Sequence, residues 1–281
     1  MIRSDDIAGG NRSRPLGLMV VHSPLRDILT VDLMMAQAIG AEVVELLPRW
    51  SELPDAAELC ARLEASGMKL WSLHGPWGGQ SVKAERVDLS DPEPQRREDS
   101  IDDVRRAADF AVEMGARLMV VHPGGLSEPL ELEIRRDALT ESLARLADHL
   151  TGSRLQLGVE NMPKGVHPGS RMIDLRQIIE VLGNEQIGLV LDTGHGHISG
   201  CVVEETLSAG RWLLSTHVHD NNGRADSHLP PGHGEIQWHR WFDAIDFLEY
   251  RGPIMLECVK WLREKGRDPL TELAPFLRHL S

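Results

Sequence analysis

Residues 114–122, MGARLMVVH, show the pattern on which the fold assignment depends. A glycine follows a long amphipathic segment, a short apolar run comes next, and that run ends in His122. Glycine commonly ends a helix, and a short apolar run bounded in this way is typical of a buried strand. The segments IGAEVV at 39–44 and SGMKLW at 66–71 repeat the same return from helix to strand. The chain therefore reads as repeated strand and helix units around a parallel sheet.

Eight such units can be counted along the chain, and their number predicts an α/β fold, a (β/α)8 TIM barrel in a single domain. The predicted strands are Leu16–His22, Glu42–Leu46, Lys69–His74, Leu118–His122, Gln156–Glu160, Gly188–Asp192, Leu214–His219 and Ile254–Glu257. The predicted helices lie at about Val31–Ile39, Ala56–Ser66, Pro94–Met114, Glu131–Leu150, Met172–Leu182, Val203–Ala209, Trp238–Leu248 and Leu270–Leu280. Residues 1–14 are polar and predict a flexible N-terminal extension before a barrel domain at 15–281.

Composition and charge narrow the class of protein. No apolar run approaches the roughly 18 residues that suggest a membrane helix, so we expect no membrane partner. The three cysteines are scattered without C-x-x-C pairing, which argues against disulfides and thiolate metal sites and favours the cytoplasm. A net charge of −13 repels phosphate backbones, which disfavours a nucleic acid partner but leaves it open, because bound metal ions would add positive charge.

Polar residues recur where the predicted strands end. Seven of the eight end in or run into such a residue: His22, His74, His122, Glu160, Asp192, His217 to Asp220, and Glu257. One such histidine or aspartate alone is more often a structural residue or a helix cap. Repetition over many strands instead indicates a shared site at the barrel mouth, to which the loop residues Asp226 and His228 belong. Imidazole and carboxylate without thiolate suit a divalent Zn, Mn, Fe or Co ion.

Several strings of the sequence resemble a known superfamily. They are LHGPW at 73–77, VVHPGG at 120–125, VENMP at 159–163, LDTGHGH at 191–197, THVHDNNGRADSHLPPGHGEIQW at 216–238 and IMLECV at 254–259. They look like the xylose-isomerase-like TIM barrels, which join sugar isomerases and epimerases with abasic-site nucleases of the endonuclease IV type. The resemblance spans roughly 16–260, and it is specific in the order of the ligands and their placement in the barrel.

The resemblance implies a set of metal ligands and one to three ions per chain. In the sugar isomerase and epimerase branch, one ion is held by four residues that match Glu160, Asp192, His217 and Glu257. The nuclease branch uses five more residues for a cluster of three ions, and these match His74, His122, His195, Asp226 and His228. All nine are present. The chain differs from the nuclease branch after the third strand, where it has GPWGG at 75–79, and it lacks an obvious basic stripe.

The altered loop and the net acidity favour isomerisation or epimerisation of a small sugar, sugar acid or sugar phosphate, with Glu160 and Glu257 as catalytic base and acid. Trp77 and Lys260 are candidate substrate contacts near the mouth. The alternative is a metal-dependent phosphodiesterase that cleaves DNA at abasic sites. A binding protein without activity stays open as a third hypothesis, and the sequence leaves a homo-oligomer open as well.

Overall fold

A closed barrel of eight parallel strands forms the centre of the molecule, with each strand paired to the next in chain order and the last paired to the first. The structure is a computed structural model and describes residues 14–23, 27–52, 55–77, 86–264 and 266–280. The predicted (β/α)8 barrel is confirmed. Residues 1–13 of the predicted extension 1–14 lie outside the described residues, whereas Arg14 Nε donates to the carbonyl oxygen of Tyr250 at 3.1 Å.

The strands lie close to their predicted positions. They are β1 Leu16–Val21, β2 Val43–Leu47, β3 Lys69–His74, β4 Leu118–Val121, β5 Gln156–Glu160, β6 Ile187–Asp192, β7 Leu213–Val218 and β8 Ile254–Leu256. The observed bounds differ from the predicted ones by one residue at most. The polar residues that close several predicted strands, such as His122 and Glu257, come one residue after the strand itself, at its carboxyl end.

The α-helices surround the barrel. They are α1 Ile28–Ala38, α2 Ala56–Ala65, α3 Pro94–Glu113, α4 Leu132–His149, α5 Met172–Leu182, α6 Thr193–Ser199, α7 Val202–Ala209, α8 Trp238–Phe247, α9 Val259–Leu262 and α10 Pro269–Leu277. The sequence does not predict α6 and α9. Both are short; α6 directly follows β6 and α9 begins two residues after β8, and the two glycines of α6 give it little intrinsic helix propensity. Within the described ranges, no helix is both long and apolar enough to cross a membrane.

Side chains alternate along each strand between the barrel interior and the surrounding helices. On β4, Leu118 and Val120 belong to a small apolar cluster with Val190 of β6, whereas Met119 and Val121 belong to the large core formed with the helices. This two-residue period is the ordinary geometry of a strand. The next interior position after Val120 is residue 122, so the period brings the side chains at strand ends together at the barrel mouth.

A buried ion pair connects the first and last units of the barrel. Asp32 on α1 is fully buried, and its carboxylate accepts hydrogen bonds from Val21 N at 2.9 Å and from Arg263 Nε at 2.6 Å. Arg263 directly follows α9, and its Nη2 donates to the same carboxylate at 2.9 Å. The pair therefore holds the end of β1 and the last part of the chain together.

Replacing Asp32→Ala is expected to lower the free energy of unfolding by about 3 kcal/mol, because the guanidinium of Arg263 and a backbone N–H lose their acceptor. The loss lies at the low end for a broken buried pair because the Arg263 side chain is 24% exposed. Urea unfolding measures it. Glu180→Gln, which removes an exposed partner of Arg176, is the control and should cost about 0.5 kcal/mol or less. Equal stability of the two variants would contradict the assigned role of Asp32.

Candidate metal centre

The structure brings all nine sequence-predicted ligands together at the carboxyl end of the barrel. They form overlapping groups in which the ligand atoms of each group lie within 4.8 Å of one another. The groups are His74, His122 and Glu160; Glu160, Asp192, His217 and Glu257; Asp192, His195 and His219; and His219, Asp226 and His228. Glu160 and Asp192 each belong to two groups. His22, the polar end of the first predicted strand, belongs to none of these four groups.

Glu160 connects two of the groups through its two carboxylate oxygens. Its Oε2 lies 3.6 Å from His74 Nε2 and 3.4 Å from His122 Nε2. Its Oε1 lies 3.1 Å from His217 Nδ1, and Glu257 Oε2 approaches the same nitrogen at 3.1 Å. The carboxylates of β5 and of the residue after β8 therefore meet at one imidazole of β7.

Asp226 is the centre of a further group. Its Oδ2 lies 3.3 Å from His195 Nε2 and 3.1 Å from His228 Nε2. His195 reaches this position because Asp192 caps α6, with Oδ1 accepting from His195 N at 2.7 Å. The D-x-x-H spacing of the sequence is thus the spacing of a helix cap and the residue one turn into the helix.

A buried aspartate holds the loop that carries Asp226 and His228. Asp220 follows β7, and its carboxylate accepts hydrogen bonds from Gly232 N at 2.9 Å, Ile236 N at 3.1 Å and Trp238 Nε1 at 2.9 Å. These contacts connect both ends of the loop. The loop residues Asp226 and His228 are therefore held over the barrel mouth by a side chain outside the predicted ligand set.

Three imidazoles have their orientation set by the backbone. Nδ1 of His74, His195 and His228 lies 2.9, 2.8 and 2.9 Å from the carbonyl oxygens of Gly75, Asn161 and Glu257, respectively. Because a carbonyl only accepts, each Nδ1 is the donor, and each Nε2 faces the carboxylates of the cluster. Histidines that bind metals are commonly fixed by such a hydrogen bond on the far ring nitrogen.

The charges of the cluster compensate one another when no cation is bound. Burial by itself lowers the pKa of His195, but Asp192 and Asp226 raise this pKa to about 9. Burial likewise lowers the pKa of His228, and Glu257 and Asp226 raise it to about 10. For Glu160, burial raises the pKa, but His217 and its other imidazole neighbours hold it well below the ordinary value. Protons on the imidazoles therefore balance the carboxylates, and a bound cation would displace them.

The residues fit a divalent cation. Glu160 Oε2 and Glu257 Oε2 are buried and make no hydrogen bond within the described ranges, although imidazole nitrogens lie near them. Buried carboxylate oxygens without hydrogen bonds are costly, and a cation is the partner that would satisfy them. The donors are imidazole nitrogens and carboxylate oxygens, a set that suits Zn, Mn, Fe or Co.

Glu45 is a buried member of the site that the predicted ligand set does not contain. Its carboxylate accepts from Ser72 Oγ at 2.6 Å and contacts His217 Nε2 at 2.9 Å. Burial raises the pKa of Glu45, but the adjacent His217 brings it below the ordinary value. Glu45 therefore holds the far nitrogen of His217 and leaves Nδ1 facing Glu160. Its place on β2, two residues after the interior Val43, is the signal that would have found it.

The two predicted substrate contacts have different surroundings. Trp77 follows β3 and is half-buried, with its ring centroid 5.9 Å from that of His122. It therefore lies beside the ligand cluster. Lys260 is exposed on α9, and its ammonium makes no ion pair with any residue in the described ranges. A substrate-binding role for Lys260 stays a prediction.

A family model described as "Xylose isomerase-like TIM barrel" matches residues 33–279. This match covers most of the chain, together with all nine predicted ligands. The chain belongs to the xylose isomerase-like TIM barrel family.

Two relatives by sequence and one solved structure show what the chain is similar to. An uncharacterized protein of Methanocaldococcus jannaschii is 28% identical over 168 residues, which are 56% of this chain and 56% of that protein. A probable endonuclease 4 of Mycobacterium marinum is 26% identical over 172 residues, 60% of this chain and 63% of that protein. Among solved structures, a D-tagatose 3-epimerase-like protein has a TM-score of 0.75 at 19% identity, covering 94% of this chain and 96% of its own. The matches to these two sequence relatives span less than two thirds of their length, and the structural likeness concerns the fold.

Glu45→Gln is expected to weaken binding of a divalent ion by roughly 10- to 100-fold, because the far nitrogen of His217 loses its carboxylate partner. Competition with a chromophoric chelator, using Zn and Mn in turn, measures the dissociation constants. Glu42→Gln is the matched control, since Glu42 lies on the surface just before the same strand. If both variants bind the ions as tightly as the unaltered protein, Glu45 has no part in the site.

Proposed function

We propose that this protein is a divalent-metal-dependent isomerase or epimerase of a small sugar, sugar acid or sugar phosphate. The observation that carries the proposal is the position of Glu160 and Glu257. Their carboxylates come from different strands and approach the same atom, His217 Nδ1, at 3.1 Å each. Two carboxylates at one metal site supply the base and the acid that proton removal and return require.

The proposed reaction has two parts, metal binding and proton transfer, and the site residues contribute to one or both. A divalent ion held by Glu160, Asp192, His217 and Glu257 would polarise the carbonyl and adjacent hydroxyl of a sugar, and so acidify the C–H or O–H between them. Glu160 takes the proton from one side of the substrate carbon, and Glu257 returns a proton from the other. Glu45 keeps His217 in place throughout. Trp77 offers an aromatic face against which the sugar ring packs.

Access to the site supports a small substrate. The side chains of Glu160, His217 and Asp192 are 2%, 0% and 0% exposed, respectively. Exposure rises only at the edge, to 16% at Glu257 and to about one third at Asp226 and His228. The central carboxylates are therefore enclosed behind the partly exposed Glu257, Asp226 and His228, an arrangement that favours a small polyol over a large substrate. The net charge of −13 makes a polyanionic polymer a less favourable partner.

Glu160→Gln is expected to slow solvent deuterium incorporation into the substrate by about 10²- to 10⁴-fold, because the amide cannot accept the proton. The assay incubates a panel of ketoses and their phosphates with the Mn- or Co-loaded protein in D2O and follows the C–H signals by NMR. Removing the ions with a chelator should stop exchange, and returning them should restore it. Glu42→Gln is again the control. Exchange that persists at the same rate in Glu160→Gln would contradict the proposed role of Glu160.

A second candidate function is phosphodiester hydrolysis at abasic sites in DNA. The observation that favours it is the presence of additional donor groups: His195 and His219 share Asp192 with the central group, and His219 in turn belongs to the group of Asp226 and His228. Several adjacent ions would activate water and neutralise the leaving oxygen of a phosphodiester.

Cleavage of a duplex with one abasic site, in the presence of Zn or Mn, distinguishes the two functions. We expect no cleavage above that of the Glu160→Gln variant, since the surface is acidic and the reacting groups are enclosed. Rapid cleavage that depends on Glu160, together with no deuterium exchange into any sugar, would establish hydrolysis in place of isomerisation.

A further inference from the structure

We propose that His219 is a metal ligand, and that it makes the group around Asp226 a site with five donor residues. His219 belongs to two groups of donors, one with Asp192 and His195 and the other with Asp226 and His228, and together the two groups contain these five residues. The inference rests on the proposed metal dependence. It adds a third imidazole, which lies outside the nine positions that the family resemblance implies.

The contacts of His219 place its Nε2 among the other donor atoms. Nε2 lies 3.0 Å from Asp192 Oδ2 and 3.6 Å from Asp226 Oδ1. The same Asp226 carboxylate lies 3.3 Å from His195 Nε2 and 3.1 Å from His228 Nε2. Two ligands of a tetrahedral ion with bonds of roughly 2.0–2.2 Å lie roughly 3.3–3.6 Å apart. The observed separations of 3.0 to 3.6 Å are close to that spacing.

The position of His219 follows from the strand period. Ser215, His217 and His219 are alternate residues of β7 and of the position that follows it, and all three are fully buried. The side chain of His217 lies at an interior position of the barrel, where its Nδ1 contacts Glu160 Oε1 at 3.1 Å. His219, two residues further along, reaches the next layer of the mouth, where Asp192 and Asp226 lie. The same contact therefore occurs in two layers: in the central layer the imidazole of His217 faces Glu160, and in the next layer the imidazole of His219 faces Asp192.

A glycine makes the space that His219 occupies. Gly194 is two residues beyond Asp192, and a Cβ atom there would lie only 1.9 Å from Cε1 of the His219 ring. The ring also stacks on His228, with centroids 4.1 Å apart and an interplanar angle of 12°. Within the described ranges, His219 Nδ1 makes no hydrogen bond, so this packing and the contact of Nε2 with Asp192 Oδ2 at 3.0 Å orient the ring. This packing directs Nε2 at the two carboxylates.

The third imidazole gives the two layers different metal preferences. The group of Glu160, Asp192, His217 and Glu257 has three carboxylates and one imidazole, whereas the two groups that share His219 together have two carboxylates, Asp192 and Asp226, and three imidazoles. Imidazole favours Zn and other late divalent metals, and carboxylate oxygen suits Mn and Mg. The layer around Asp226 is therefore expected to select Zn or Co, while the central layer accepts Mn.

His219→Gln tests the proposal, because the glutamine Nε2 can still donate to Asp192 but is not a nitrogen ligand. The metal-free full-length protein is titrated with Zn and Co, ions per chain are counted by mass spectrometry, and the visible spectrum of bound Co is recorded. We expect one ion per chain to be lost or weakened by more than the roughly 10- to 100-fold that an outer partner costs, with a changed Co spectrum. His239→Gln, at an exposed histidine of α8, should behave like the unaltered protein.

The proposal is overturned if His219→Gln keeps the ion count, the affinities and the Co spectrum of the unaltered protein, or if only affinity falls, within the range for an outer partner. X-ray absorption of the unaltered protein with one Zn per chain provides a test that does not depend on a variant folding. Three imidazoles on that Zn support the proposal, and two contradict it. If the unaltered protein binds no divalent ion at all, the proposed function fails with it. If the unaltered protein and the His219→Gln variant bind the ions equally, the result contradicts the role of His219 and leaves the proposed function standing.

Discussion

The alternation of side chains along parallel strands is the constraint on which the rest of this protein depends. Interior positions follow one another at two-residue intervals, so an apolar residue inside the barrel is followed by a residue at its mouth. Val120 and His122, Val190 and Asp192, and Met255 and Glu257 are such pairs. One geometric rule thus produces both the apolar plug of the barrel and the polar layer above it. Because the strands are parallel, every such layer lies at the same end.

Charge compensation is the second requirement of the site. Carboxylates and imidazoles that are buried together are tolerated only because each carboxylate has a cationic neighbour. Glu45 and Asp220 are two further buried carboxylates that support the site from outside the ligand set. The first holds His217 from behind, and the second holds the loop of Asp226 and His228 through backbone and indole N–H groups. These two residues bind no substrate in the proposed reaction, but the donor atoms depend on them for their positions.

The sharing of carboxylates between groups explains how one barrel can suit two chemistries. Glu160 contributes one oxygen to the group of His74 and His122 and the other to the group of His217. Asp192 likewise belongs to the central group and to the group of His195 and His219. The central group alone is enough for proton transfer on a sugar, whereas the outer groups add the ions that phosphodiester hydrolysis requires. Enclosure of the central carboxylates and the acidity of the chain favour the first chemistry here.

The sequence by itself determined the barrel and most of its site. Apolar runs ending in polar residues predicted the strands within one residue, and the spacing of Asp192 and His195 placed both at the same mouth. The sequence left α6 and α9 unpredicted, because the two glycines of α6 lower its helix propensity and the four residues of α9 are too few to show a helical period. Only the tertiary structure decided that Glu45 holds His217, and that the missing side chain of Gly194 leaves room for His219. Those contacts join residues on different strands. Their geometry depends on the register and closure of the barrel, which no local pattern specifies.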